Sequence, residues 1–163
     1  LTAATISMLV LVCGVALAAN KQCKAHDSRA CYGTQQADTL LGTDKFESVY
    51  GRGGPDTIKS LAGGDTVYGE NGDDDLFVGD GEDRLHPGQG DDTIRGNERG
   101  NGVGSNRGDD TIYGMDEDDW IIVADNAGGD TVDCGAGNDT VYYDPGDTVR
   151  DCEVRRDLQG NPQ

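Results

Sequence analysis

An aliphatic residue recurs at every ninth position over half of the chain: Leu40, Val49, Ile58, Val67, Leu76, Leu85, Ile94, Val103, Ile112 and Ile121. Two residues before each stands a carboxylate or its amide: Asp38, Glu47, Asp56, Asp65, Asp74, Asp83, Asp92, Asn101, Asp110 and Asp119. A fixed short period means stacked copies of one unit rather than a folded-up core, because each unit can bury its apolar side chain only against its neighbours. Within the unit, three residues around the aliphatic position suit a short extended segment. Thr57, Thr66, Thr93 and Thr111 stand beside it, and β-branched residues favour that geometry. The other six residues are turn-like and rich in glycine. Two units of nine then close one flattened coil of 18 residues, with parallel strands on two sides and the aliphatic side chains stacked inside.

The turn Gly69-Glu70-Asn71-Gly72-Asp73-Asp74, followed by Asp75-Leu76-Phe77, reads G-x-x-G-x-D-x-U-x with U apolar. On these residues the chain resembles the RTX, or haemolysin-type calcium-binding repeat, family over about residues 38–150. The resemblance implies an all-β fold, a right-handed parallel β-roll of glycine- and aspartate-rich nonapeptides. It also implies calcium ions held between the turns of adjacent coils by the repeat aspartate and by turn carbonyls.

Composition agrees. The 163 residues carry a formal net charge of -18, with 26 glycines and 34% hydrophobic residues. So few apolar groups under so much charge would leave an ordinary chain disordered. The thirteen inward positions, counting Val132, Val141 and Val149, form a thin core that ordering the remaining backbone would overwhelm. Stacked carboxylates oppose folding further. A divalent cation reverses their sign, and calcium, which takes six to eight oxygen ligands including backbone carbonyls, suits such turns better than magnesium. An acidic surface of this kind repels nucleic acid and anionic membranes.

Parity assigns alternate turns to opposite edges. The first edge holds Asp38, Asp56, Asp74, Asp92 and Asp110, in turns reading GRGGPD, GENGDD, PGQGDD and SNRGDD that contribute Gly54, Gly72, Gly90 and Gly108. The second holds Glu47, Asp65, Asp83, Asn101 and Asp119, and its turns GTDKFE, GNERGN and GMDEDD depart from the repeat. The expected metal ligands are therefore Asp56, Asp74, Asp92 and Asp110 with those glycines on the better edge. On the other they are Asp65, Asp83 and Asp119, with little or no binding around Asn101, where Arg99 stands nearby. Asp139 follows a regular turn, CGAGND, and is a further candidate. Asp73, Asp91 and Asp109 read as solvent-facing turn residues, with added charge for the sites as the alternative.

After Asp119 the period slips by two residues, placed between Val123 and Ala127. Residues 1–18 read as a secretory signal ending in Ala16-Leu17-Ala18, with a membrane anchor as the alternative. Without that segment four cysteines remain, Cys23, Cys31, Cys134 and Cys152, an even count that points to two disulfides in a secreted chain, with local pairing favoured and zinc as the lesser alternative. Cys134 and Cys152 are 18 residues apart, which puts them on neighbouring coils. The expected organisation is a cap at 19–37, the roll at 38–122, irregular repeats with a disulfide cap at 123–157, and a tail at 158–163.

Neither H-E-x-x-H nor G-x-S-x-G occurs, and the many carboxylates repeat instead of forming one distinct acid/base pair, so an enzyme is not expected. Tyr50, Tyr68 and His86 share one outward position on successive coils. They read as cross-strand pairing, or else as a binding face. The function read from the sequence is a secreted, non-enzymatic calcium-binding protein whose roll folds on Ca2+. The alternatives are an adhesin-like module binding extracellular glycan or protein through its flat face, and a detached accessory domain of a secreted hydrolase. Ice binding is excluded, because the third turn position runs Asp44, Gly53, Ala62, Asn71, Asp80 with no outward threonine array.

Overall fold

The structure is a computed structural model. It describes residues 20–22 and 30–156, apart from Glu98, Ser105, Asn106 and Asp125. The signal segment, Cys23 and the tail lie outside the described residues.

Among the described residues sixteen short strands alternate between two parallel sheets, and no helix occurs. One sheet contains β1 (Asn20–Gln22), β3 (Thr39–Thr43), β5 (Thr57–Leu61), β7 (Asp75–Phe77), β9 (Thr93–Arg95), β11 (Thr111–Tyr113), β13 (Thr131–Asp133) and β15 (Thr148–Arg150). The other contains β2 (Ala30–Tyr32), β4 (Ser48–Gly53), β6 (Thr66–Asn71), β8 (Arg84–Gln89), β10 (Gly102–Val103), β12 (Trp120–Ile122), β14 (Thr140–Tyr142) and β16 (Val154–Arg156). Consecutive strands switch sheets, so the chain winds as a β-solenoid. The sheets extend past 38–122 on both sides, since β1, β2 and β13 to β16 join the same ladders.

Register follows the aliphatic period. Leu40 pairs with Ile58, Ile58 with Leu76, Leu76 with Ile94, and Ile94 with Ile112. On the opposite sheet Val49, Val67, Leu85, Val103 and Ile121 align in the same way. All are buried, and together with Val132 and Val141 they fill the space between the sheets. Cys31 takes the aliphatic position opposite Val49 and extends the core into the first coil. Beyond Ile112 the partner is Val132, and beyond Ile121 it is Val141. The extra residues fall between β12 and β13, where a turn absorbs them without disturbing either ladder.

Cys134 and Cys152 form a disulfide with Cα atoms 5.2 Å apart, close to the spacing of adjacent parallel strands. Cys31 is also disulfide-bonded. The outward positions stack too. The rings of Tyr32, Tyr50, Tyr68 and His86 form one column with centroids 4.7–4.9 Å apart. Tyr32 joins the three residues expected from the repeat although it lies before the first regular unit. Their spacing is that of the strands beneath them, so ordinary pairing across the sheet accounts for the column.

Candidate metal centre

Each repeat aspartate starts at the end of a turn, immediately before a strand, and is turned inward although it is charged. Asp56, Asp65, Asp74, Asp83, Asp92, Asp110, Asp119 and Asp139 are all at most 3% exposed. One carboxylate oxygen explains part of this. On the first edge Oδ1 accepts the backbone N–H of the corresponding residue one coil earlier. Asp38 donates to Asp56 at 2.7 Å, Asp56 to Asp74 at 2.7 Å, Asp74 to Asp92 at 2.8 Å, and Asp92 to Asp110 at 2.9 Å. The second edge repeats the pattern from Glu47 to Asp65 and from Asp65 to Asp83. It resumes from Asn101 to Asp119 and from Asp119 to Asp139. The aspartate is thus a structural bracket between coils whether or not an ion is bound.

The other oxygen is unexplained by the protein. Oδ2 of Asp56, Asp74 and Asp92 on the first edge is buried without a hydrogen-bond partner, and so is Oδ2 of Asp65, Asp119 and Asp139 on the second. A buried ionised oxygen without a donor or counter-charge is costly. Burial accordingly drives the carboxyls up: Asp56 to about 6, Asp74 to about 7, Asp92 to about 8 and Asp119 to about 7, with neighbouring carboxylates adding to the rise. Asp65 and Asp139 are also raised, chiefly by burial.

The turns aim carbonyls toward the same place. At Gly72 and Gly90 the backbone takes φ of 131° and 128°, which side-chain-bearing residues reach only with strain. A Cβ at Gly90 would overlap Gly72 O, and one at Gly72 would overlap Gly54 O. The glycines therefore let each coil approach the carbonyls of the preceding turn. Two positions earlier in their turns, Arg52, Leu61, Glu70 and Met115 also take positive φ, between 75° and 87°, although none is glycine. This left-handed step costs about 1–2 kcal/mol per residue. It recurs on both edges, so the turn shape is imposed by the stack.

Among the described residues no three acidic, histidine or cysteine side chains converge on one point. Each turn offers one carboxylate oxygen, and any further ligands must be backbone carbonyls. That donor set is all oxygen with a single charge per turn, which fits calcium and does not fit zinc.

The departures on the second edge close in different ways. Glu47 spends its carboxylate within its own turn, accepting from Thr43 N at 3.0 Å and from Thr43 Oγ1. In the turn of Asp119, Glu117 takes φ of 71° at the position that is glycine in the regular turns, so GMDEDD adopts the common shape despite its sequence. Around Asn101 the amide donates to Arg99 O at 2.7 Å. Asn97, a polar turn residue with no distinguishing mark in the sequence, places its amide Nδ2 against Gly79 O, Gly81 O at 3.0 Å and Asp83 Oδ2 at 3.1 Å. Asp83 is consequently absent from the carboxylates with an unpartnered oxygen. Asp73, Asp91 and Asp109 are exposed and form a second, outer ladder, with Asp91 N donating to Asp73 Oδ1 at 3.0 Å and Asp109 N to Asp91 Oδ1 at 3.1 Å.

Compared with known proteins, four copies of the RTX calcium-binding nonapeptide repeat match residues 50–85, 79–98, 105–125 and 122–149. No curated protein matches the chain.

Proposed function

Because the chain belongs to the RTX calcium-binding nonapeptide repeat family, we propose that it is a secreted, non-enzymatic protein whose β-roll is completed by calcium. The observation that carries this reading is the row of buried carboxylate oxygens with no partner, at Asp56, Asp74 and Asp92 on one edge and Asp65, Asp119 and Asp139 on the other. Asp110 lies next along the first edge, bonded to Asp92 N. Carbonyls of Gly54, Gly72, Gly90 and Gly108 complete the ligand shells.

Bound calcium supplies positive charge and oxygen coordination in the turns. The chain's own residues do the rest. The aspartate Oδ1 holds the preceding coil in register. The positive-φ residues turn their carbonyls toward the gap, and the aliphatic stack keeps the two sheets together. Where calcium is scarce, the -18 chain resists closing. Where it is abundant, ions that bind only the closed turns stabilise them by mass action. A secreted setting supplies that calcium and is also where disulfides such as Cys134–Cys152 persist.

The test is circular dichroism of residues 19–163 after removal of divalent ions, followed by calcium titration with magnesium as control. A coil-to-β transition on calcium alone is expected. A chain already fully folded without metal, or folded equally by magnesium, overturns the proposal.

A further inference from the structure

The Asp83 turn contains a built-in substitute for the cation. In the regular turns three oxygens recur at fixed positions: the carbonyl of the second turn residue, the carbonyl two residues on, and Oδ2 of the repeat aspartate two residues after that. Around Asp74 these belong to Glu70, Gly72 and Asp74. Around Asp83 they belong to Gly79, Gly81 and Asp83. In this second case they are occupied by the Asn97 amide, whose Nδ2 reaches all three from the next coil. One amide nitrogen, with two N–H groups shared among three oxygens of one turn, shows that those oxygens converge on one point.

The orientation of that amide is fixed from both sides. Its Oδ1 accepts Arg99 N at 2.6 Å and Asn101 Nδ2 at 3.3 Å, so the NH2 group must face the oxygens of the Asp83 turn. Asn97 stands at the position held by Glu70 and Gly88 in the neighbouring turns. There the residues offer only backbone to the gap, whereas the Asn97 side chain enters it. The same turn carries two other changes in the same direction. The repeat aspartate is replaced by Asn101, and the position of Gly72 and Gly90 is Arg99, which lines a cleft with Asp80, Glu82 and Glu117. Donors and a fixed cation thus stand where the other turns present only acceptors.

Resting on the calcium reading above, we infer that the second edge is divided by a metal-free latch. Asn97 closes the Asp83 turn with hydrogen bonds in place of an ion. The Asp65 turn on one side and the Asp119 and Asp139 turns on the other are then separate calcium segments, while the first edge forms one continuous row. The latch lets the middle of the roll close without calcium.

Calcium titration by calorimetry on the disulfide-intact protein, starting free of metal, tests this. Asn97→Gly, which restores the residue found at Gly79 and Gly88, should add one calcium ion per chain. Asp83→Asn should leave the wild-type number unchanged, since that carboxylate is already spent on Asn97. Should Asn97→Gly fail to fold, Asp83→Asn decides alone. An unchanged ion count in a folded Asn97→Gly variant, or loss of an ion in Asp83→Asn, overturns the latch while leaving the calcium reading intact. A wild-type chain that takes up no calcium overturns both.

Discussion

The two edges of the roll are built from the same nonapeptide on the same strands, yet they solve the problem of buried carboxylates differently. On the first edge Asp56, Asp74 and Asp92 each keep one oxygen without a donor, and every turn from 51 to 92 has glycine at the close-approach position. On the second edge the protein intervenes. Glu47 is satisfied by Thr43 and Asp83 by Asn97, while Asp65, Asp119 and Asp139 keep an oxygen without a donor. The first edge leaves three successive carboxylates to an external cation. The second interrupts its row, replacing the cation locally with a hydroxyl at Glu47 and an amide at Asp83. A solenoid tolerates this because each turn contacts only its neighbours, so one turn can change its chemistry without disturbing the stack.

The largest way to sharpen this contrast is pH, because several carboxyls act together. In the metal-free chain Asp74 and Asp92 are raised to about 7 and about 8, against about 4 for an unfolded aspartate. The folded state therefore holds more protons than the unfolded one between these limits, and its stability must fall as pH rises through them. Circular dichroism of the metal-free protein should show most β structure near pH 4 and progressively less toward pH 8. Calcium should restore it most strongly at the alkaline end, where the carboxylates are ionised. Metal-free β structure that increases with pH would break the contrast.

The disulfide comes next. Opening it by Cys134→Ala with Cys152→Ala frees a loop of 18 residues and should cost about 3 kcal/mol. The loss should appear as a lower denaturant midpoint of the calcium-loaded protein and a coil-to-β transition at higher calcium, because the bond holds the end of the second edge independently of the ion.

The smallest expected effect comes from paired alanines. Asp74→Ala removes the acceptor of Asp56 N as well as an unpartnered oxygen, and should cost about 1–3 kcal/mol and shift the calcium titration to higher concentration. Glu47→Ala should destabilise its own turn without moving the calcium midpoint, since Thr43 already occupies that carboxylate. Equal shifts of the calcium midpoint in both variants would erase the difference between the edges.

Much of this protein was legible in its sequence, because a solenoid writes its three-dimensional repeat directly as a one-dimensional period. The nine-residue spacing alone determined the parallel two-sheet roll, the inward aliphatic column from Leu40 to Ile121, the division of the aspartates between two edges and the placement of Cys134 beside Cys152. It also located the irregular turns around Glu47 and Asn101. What it could not supply was how those turns close. Asn97 looks like any polar turn residue, and its role depends on a side chain crossing from one coil to the carbonyls of the preceding one. Glu117 likewise adopts a glycine-like φ of 71° only because the stack holds it there. The period fixes where each residue lies along the coil. Contacts between coils decide which donor or ion satisfies a buried oxygen, and those contacts exist only once the coils are stacked.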